Sequence, residues 1–168
     1  MIFENYKLKN ITLRNRIVMA PMTRNQSPGG IPTQEVIAYY SRRAKAEVGL
    51  IITEGIEVSH EASSAYPNVP RLDSNEAKEA WKKVVEGIKN NNGAVIAQLW
   101  HCGGFRKLGM QPNPEVPGHT ASGLVKPGKK VAHEMTLNDI KETIDAYASD
   151  AKICEEIGFD GVEIHGAH

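Results

Sequence analysis

The sequence lacks the features that mark membrane, disulfide-stabilised and nucleic-acid-binding proteins. None of its apolar runs approaches the roughly 20 residues that a membrane-spanning helix needs, and its N-terminus has no basic region followed by an apolar core. Cys102 and Cys154 are too few for a disulfide framework, so we expect a reducing, cytoplasmic compartment. Twenty Lys and Arg residues balance twenty Asp and Glu residues, which argues against a broad surface for nucleic acid or anionic membranes.

What remains is the composition of a folded domain. Of the 168 residues, 40% are hydrophobic and 24% are charged, which is typical of globular chains and not of disordered ones. This length supports one domain or a part of a larger one. Apolar runs alternate with amphipathic runs along the whole chain. The pattern therefore predicts alternating strands and helices.

Short apolar runs without polar alternation predict strands that are buried on both faces, at residues 16–20, 50–54, 94–99 and 161–165. Apolar residues spaced along one helix face predict helices between them, at 34–46, 75–91 and 137–157. Thr33, Ser74 and Thr136 precede these helices as N-caps, and Gly158 ends the last one. This order predicts an α/β fold with a parallel sheet, preceded by a small hairpin over residues 6–14.

Two connections are unusually long and follow the second and third predicted strands, at residues 56–73 and 100–135. Loops of this length are usually functional. Polar side chains also stand at the ends of all four strands, at Thr23, Glu54, Gln98 and His165 among others. Because ligands of parallel α/β proteins bind at the carboxyl ends of the strands, these residues indicate one polar ligand shared by all four.

Each of these residues also has an ordinary structural interpretation. A threonine at a strand end, such as Thr23, more often caps or turns the chain than binds a ligand. Gln98 is more often a core amide with its hydrogen bonds satisfied. His165 and His168 are either ordinary residues at the end of a strand or a pair of metal ligands.

The remaining histidines offer no obvious third or fourth ligand for a metal, so we predict no metal site; they are His60, His101, His119 and His133. Cys102 beside His101 suggests a thiol nucleophile. However, neighbouring residues at the end of a strand point in opposite directions, so we do not favour this interpretation.

Five ordered blocks of the sequence resemble the old yellow enzyme family, the FMN-dependent ene reductases. They lie at residues 13–24, 39–44, 51–55, 98–101 and 158–168. The resemblance covers nearly the whole chain but only about the first half of the family's eight-stranded barrel. It implies that residues 1–168 form the N-terminal half of a flavin-binding (β/α) barrel of the TIM type, with the hairpin closing its N-terminal end.

The resemblance also implies a cofactor site for FMN. The residues that lie along the flavin ring in the family match Ala20, Pro21, Met22 and Thr23. By the same comparison, the Thr23 hydroxyl hydrogen-bonds the flavin carbonyl, and Gly55 lets the backbone approach the ring, as suits a residue without a Cβ. Gln98 would hydrogen-bond the pyrimidine edge of the flavin.

By the same resemblance, His165 and His168 match the pair that holds the carbonyl or nitro oxygen of an activated alkene substrate. Two donors at this oxygen stabilise the charge that develops when hydride reaches the alkene. NAD(P)H would be the co-substrate that reduces the flavin in the same pocket. The expected activity is thus that of an FMN-dependent NAD(P)H oxidoreductase.

The sequence departs from the family pattern in two places. The family motif His-x-Gly-Arg reads His101-Cys102-Gly103-Gly104-Phe105-Arg106 here, which moves the arginine by two positions. The family's tyrosine proton donor, flavin-contacting arginine and phosphate-binding loops have no counterpart in these residues. We therefore expect a homo-oligomer or a complementing C-terminal half. Two alternatives remain open, namely a catalytically silent half-barrel that serves assembly and a flavoenzyme that acts on dienoyl thioesters.

Overall fold

A four-stranded parallel sheet forms the centre of the computed structural model, which describes residues 1–168. Its strands are β3 (Val18–Met19), β4 (Leu50–Glu57), β5 (Ala94–Trp100) and β10 (Gly161–Ile164). Each strand pairs with the strand that precedes it in this series, in the order β10-β5-β4-β3. The α/β class and the parallel sheet are thus confirmed. The sheet does not close, because β3 and β10 are both edges.

Three helices connect these strands: α1 (Gln34–Lys45), α2 (Asn75–Lys89) and α3 (Leu137–Ile157). All three predicted N-caps are confirmed, since the hydroxyls of Thr33, Ser74 and Thr136 each accept a backbone N–H of the first turn. Gly158 ends α3 at φ 104°, a left-handed conformation that favours glycine. None of the three helices combines the length and the apolar character that crossing a membrane requires.

The hydrophobic core lies between the sheet and the helices. From α1 and α2 it receives the apolar side chains that are spaced along one face of each helix, including Tyr40, Trp81 and Ile88, all fully buried. Strands β4 and β5 contribute Ile51, Leu99 and their apolar neighbours. Burial of these large side chains is the main favourable contribution to folding, at about 2 kcal/mol for each.

The apolar side of α3 is only partly buried. Cys154 is fully buried near the C-terminal end of the helix. Towards its N-terminal end, however, Ile140 is 38% exposed and Ile144 is 60% exposed. No further element of the chain lies over this part of α3, because β10 is the last strand of the sheet.

The bounds of two strands differ from the prediction. β3 has two residues and not five, since Pro21 has no N–H to continue the ladder. β4 does not stop at Gly55 but continues to Glu57, with a register irregularity between Ile52 and Gly55. A side chain at Gly55 would clash, because its Cβ would lie 2.6 Å from the Trp100 ring.

Short strands outside the sheet complete the fold. The predicted hairpin is confirmed as β1 (Tyr6–Leu8) and β2 (Ile11–Leu13), an antiparallel pair. The long connection after β5 contains four short strands that the sequence pattern did not predict: β6 (His119–Thr120), β7 (Leu124–Lys126), β8 (Lys129–Lys130) and β9 (His133–Glu134). β7 and β8 form a second hairpin, and β6 pairs with β9.

Candidate functional site

An open cavity of ≈ 680 Å³ lies at the carboxyl ends of the sheet strands. This volume is within the range of about 300 to 1,000 Å³ that is usual for cofactor and ligand sites. Four parts of the chain form its wall: the segment after β3, the loop after β4, the end of β5 and the residues after β10. The lining residues are Pro21, Thr23, Asn25, Tyr66, Gln98, Trp100, His165 and His168.

The structure brings together most of the residues that the sequence predicted for the site. Pro21, Thr23, Gln98, His165 and His168 all line this cavity. Ala20 and Met22 are exposed and flank Pro21 without lining the cavity, and Gly55 is buried behind Trp100. The individual roles assigned to these eight residues stay predictions. Asn25 and Tyr66 also belong to the lining. Tyr66 was indicated only by its position in a long connection, and Asn25, in the segment after β3, carried no signal in the sequence.

Gln98 is hydrogen-bonded within the protein, as a core amide would be, and it also lines the cavity, as a ligand-binding residue would. Its side-chain Nε2 donates to Glu163 Oε1 at 2.7 Å, and its backbone N–H donates to the Thr53 hydroxyl at 3.2 Å. The residue is 8% exposed. These bonds orient the amide, while its carbonyl oxygen makes no hydrogen bond within the chain and remains available to a donor in the cavity.

The two histidines of the site are linked to each other and to Trp100. The indole N–H of Trp100 donates to His168 Nδ1 at 3.1 Å, and His165 Nε2 lies 2.9 Å from the same nitrogen. Since Nδ1 accepts the indole proton, neutral His168 carries its own proton on Nε2. Burial and the neighbouring His165 lower the pKa of His168. In this arrangement the Nε2–H of neutral His168 has no partner within the chain and is free to donate.

A buried ion pair holds the segment after β3, which presents Thr23 to the cavity. Glu54 is fully buried within β4, and its Oε1 lies 3.3 Å from the Arg24 guanidinium. Glu54 Oε2 also accepts the backbone N–H of Arg24 at 3.1 Å. The Tyr40 hydroxyl donates to Glu54 Oε1 at 3.4 Å and accepts the Glu54 backbone N–H at 2.8 Å. In the sequence, this network was indicated only by Glu54, a charged residue at the end of an apolar run.

Arg106, the displaced arginine of the third-strand motif, has a structural role away from the cavity. It is 1% exposed, and its guanidinium donates to four backbone carbonyls of the surrounding loops. These carbonyls belong to Ser64, Met110, Asn113 and Val116. The long connection after β5 is thus folded around one buried cation, and the shift of two positions leaves its geometry ordered.

Four histidines that the sequence did not bring together form a row beside the cavity. Their ring centroids are separated by 5.1 Å (His101 to His60), 5.3 Å (His60 to His119) and 4.6 Å (His119 to His133). His133 Nε2 lies 2.8 Å from Asp139 in the capping box of α3. No three His, Cys, Asp or Glu side chains in the chain are arranged to hold a metal ion.

Cys102 also lies outside the cavity lining. Its thiol is fully buried and lies 3.7 Å from Glu57 Oε1. Burial, together with the adjacent carboxylate, raises the pKa of the Cys102 thiol well above its usual range. A thiolate nucleophile at this position is therefore disfavoured.

Comparison with known families identifies a match over the whole chain. The sequence profile of the NADH:flavin oxidoreductase / NADH oxidase family matches residues 1–168. A putative 12-oxophytodienoate reductase-like protein 1 of Arabidopsis thaliana is 40% identical over 168 residues, covering 96% of this chain and 50% of the relative. Putative 12-oxophytodienoate reductase 4 of Oryza sativa subsp. japonica is 34% identical, covering 97% of this chain and 44% of the relative.

Solved structures agree with this comparison. Morphinone reductase superposes with a TM-score of 0.89 at 28% identity, covering 98% of this chain and 47% of its own. Old Yellow Enzyme from Pichia sp. AKU4542 superposes with a TM-score of 0.87 at 30% identity, covering 98% and 45%. The chain spans about half the length of the curated relatives it matches.

Proposed function

Because the chain belongs to the NADH:flavin oxidoreductase / NADH oxidase family, we propose that it forms the part of an FMN-dependent ene reductase that holds the flavin ring and the substrate oxygen. One observation carries this proposal. Residues from three different strand ends, Thr23, Gln98 and the His165–His168 pair, line a single cavity. Separate stretches of sequence converge in this way where one ligand is bound by all of them.

The residues of the cavity suit the ring of FMN better than its phosphate. The Thr23 hydroxyl and the free Gln98 carbonyl oxygen supply polar partners for a heterocycle with alternating donors and acceptors. No Lys or Arg lines the cavity, so the lining offers no cationic partner for a phosphate group. Thr23 and Gln98 would therefore hold the ring, with Pro21 beside them.

When bound, FMN supplies hydride transfer between NAD(P)H and an activated alkene such as an enone or a nitroalkene. The contribution of this chain is to bind the oxygen of the alkene's activating group. His168 Nε2–H is free to donate to that oxygen, while Trp100 holds its ring in the required tautomer. In its Nε2–H tautomer, His165 supplies a second donor when its ring turns towards the ligand. A preorganised donor at a developing negative charge contributes about 3 kcal/mol.

We also propose that the active protein contains further barrel strands, from a complementing C-terminal half or from a second copy of this chain. The support is the open sheet, in which β10 is an edge strand and Ile164 is 67% exposed.

We also propose a cytoplasmic location, because both cysteines are free and buried, as in proteins of a reducing compartment.

Flavin titration of the purified chain tests the proposal. We expect FMN and riboflavin to bind weakly and with equal affinity, because the lining holds the ring and offers no cationic partner for the phosphate. Thr23→Val and Gln98→Ala should each lower the affinity for both flavins by about fivefold, which corresponds to the loss of one hydrogen bond. Flavin fluorescence quenching gives the affinities.

Thr12→Val, an exposed threonine of the β1–β2 hairpin, is the matched control and should change nothing. Absence of flavin binding, or binding that both site variants leave unchanged, would contradict the proposal and favour the catalytically silent half-barrel. If flavin binds, comparing enones with dienoyl thioesters in the reconstituted enzyme separates the two activities.

A further inference from the structure

A short segment of the connection after β4, residues 63–66, carries Tyr66 to the wall of the cavity. The Tyr66 ring stacks on Trp100 with ring centroids 5.7 Å apart and an interplanar angle of 29°. Trp100 is only 6% exposed, and a Cβ at Gly55 would lie 2.6 Å from its indole ring. The indole that donates to His168 is thus covered by the backbone of β4 and by the Tyr66 ring.

Three consecutive residues of this segment are each held by a hydrogen bond to another part of the chain. Two of these bonds end on carbonyl groups of the segment, and their donors are the Cys102 backbone N–H and the Arg106 guanidinium. The third bond runs in the other direction, since the Ala65 N–H donates to Glu57 Oε1 at 3.2 Å. Because Ala65 directly precedes Tyr66, Glu57 fixes the backbone next to the stacked ring.

Packing alone does not explain a carboxyl group at the position of Glu57. The side chain is fully buried at the end of β4, and burial raises its pKa to about 7. Since burial of a carboxyl group is costly, an apolar side chain of similar size would fill the same space at less cost. Glu57 Oε2 makes no hydrogen bond within the chain, whereas Oε1 accepts the Ala65 N–H and lies 3.7 Å from the Cys102 thiol. The hydrogen bonds of the carboxyl group are therefore directed at the two connections that enclose Trp100.

We propose that Glu57 is a positioning residue for the donor at the substrate oxygen. Its bond to the Ala65 N–H keeps the Tyr66 ring on Trp100. The covered indole then keeps its hydrogen bond to His168, because water that reached the indole N–H would compete with His168 as the acceptor. This inference rests on the proposed function, which is what makes His168 the donor to the substrate.

Hydrogen exchange at the indole N–H groups tests the inference in the full chain, without flavin or substrate. The chain has two tryptophans, which give two indole ¹H–¹⁵N signals in NMR spectra, and Trp100→Phe identifies the signal of Trp100. The other tryptophan, Trp81, is fully buried in the main core and reports on unfolding of the whole chain. The ratio of the Trp100 exchange rate to the Trp81 exchange rate therefore separates local opening from a general loss of stability.

Glu57→Leu should raise this ratio by about fivefold, which corresponds to the loss of one hydrogen bond. Glu57→Gln should restore the original ratio, because its side-chain carbonyl oxygen can still accept the Ala65 N–H. Tyr66→Ala should raise the ratio by itself, since it removes the ring that covers the indole. Adding Glu57→Leu to Tyr66→Ala should have no further effect if Glu57 acts through Tyr66.

Glu61→Leu is the matched control, because it changes an exposed glutamate of the same connection and should leave the ratio unchanged. The inference is overturned if Glu57→Leu leaves the ratio unchanged, if Glu57→Gln raises it as much as Glu57→Leu does, or if the effects of Glu57→Leu and Tyr66→Ala add. The expected exchange rates in a chain that binds no flavin would support the positioning of Trp100 by Glu57 and count against the proposed function. Flavin binding with an unchanged ratio in Glu57→Leu would do the reverse.

Discussion

At the scale of single residues, Trp100 controls the proton of His168. Its indole N–H donates to Nδ1, and this bond stabilises the neutral ring with a proton on Nε2. The same indole fills the space that a side chain at Gly55 would occupy. One residue thus explains the absence of a Cβ on β4 and sets which nitrogen of His168 carries the proton that we propose it donates to the substrate oxygen.

We predict that Trp100→Phe raises the pKa of His168 relative to the unchanged chain. Phenylalanine keeps an aromatic ring but removes the N–H that occupies Nδ1, so protonation of that nitrogen no longer breaks a hydrogen bond. Histidine titration by NMR measures the change. Tyr66→Phe keeps the Trp100 N–H and should leave the pKa of His168 in place; an equal shift in both variants would refute the argument.

Glu57 provides a second prediction at the residue scale. It is fully buried at the end of β4, and burial raises its pKa to about 7 from an ordinary value of 4.5. Between these values the unfolded chain releases a proton that the folded chain keeps, so this residue lowers stability as pH rises, by about 3 kcal/mol in total. Glu57→Gln does not titrate. The free energy of unfolding of the Glu57→Gln variant, relative to that of the unchanged chain, should therefore increase as pH rises from 5 to 8.

Urea unfolding at several pH values measures this difference. Parallel pH dependences of the two proteins would show that Glu57 does not keep its proton in the folded state.

At the scale of elements, the histidine row joins the two long connections to the start of α3. His60 comes from the connection after β4, His119 and His133 come from the connection after β5, and Asp139 belongs to the first turn of α3. Arg106 fixes the same connections through their carbonyls. These two long connections are thus held by side chains, because they have little regular secondary structure of their own.

We predict that acid loosens these connections before the helices unfold. Burial, followed by the neighbouring histidines and Arg106, lowers the pKa of His101 to about 4 from an ordinary value of 6.5. As pH falls from 6.5 towards 4, His101 becomes protonated in the unfolded chain but stays neutral in the folded chain. The free energy of unfolding therefore decreases, by about 3 kcal/mol in total.

Limited proteolysis with an acid-tolerant protease, compared at pH 5 and pH 7.5, checks this prediction. Cleavage should appear first between residues 101 and 135. First cleavage within α1 or α2 would instead show that the row does not govern the stability of the loops. Over the same pH range Glu57 changes the free energy of unfolding in the opposite direction to His101. The proteolysis is therefore best compared at the two pH values in the Glu57→Gln variant, where only His101 contributes.

At the scale of the whole molecule, the outer edge of the sheet presents an apolar groove of ≈ 390 Å³. It lies between α3 and β10, and all of its lining residues are apolar. Ile144 is 60% exposed and Ile164 is 67% exposed beside the free edge of β10. In a closed barrel such a face is covered by the next strand and helix. An open strand edge with an apolar flank favours association.

We predict that the isolated chain is an oligomer and that Ile144→Lys shifts it towards the monomer. The side chain is mostly exposed, so the substitution should leave thermal stability nearly unchanged while placing a charge in the groove. Sedimentation velocity measures the change in size. Ser149→Lys, an exposed position of the same helix that does not line the groove, is the control. A compact monomer of the unchanged chain would contradict the prediction.

Local signals made much of this fold predictable. The caps at Thr33, Ser74 and Thr136 and the apolar spacing of α2 are short-range features, so the helices were predicted nearly to their ends. The full extent of β4 was not predictable, because its continuation past Gly55 depends on Trp100, which lies 45 positions along the chain. The strands after β5 were missed since their pairs have two or three residues each and carry no hydrophobic period.

The sequence by itself determined the alternation of strands and helices and identified five residues that share the cavity. These properties follow from the hydrophobic period, the capping residues and the order of the motifs, all of which depend on residues that are close together in the sequence. Only the tertiary structure decided the hydrogen bond from Trp100 to His168, the burial of Arg106 and the row of four histidines. Each of these depends on side chains from distant segments meeting in three dimensions, and packing chooses such contacts only after the backbone has brought the segments together.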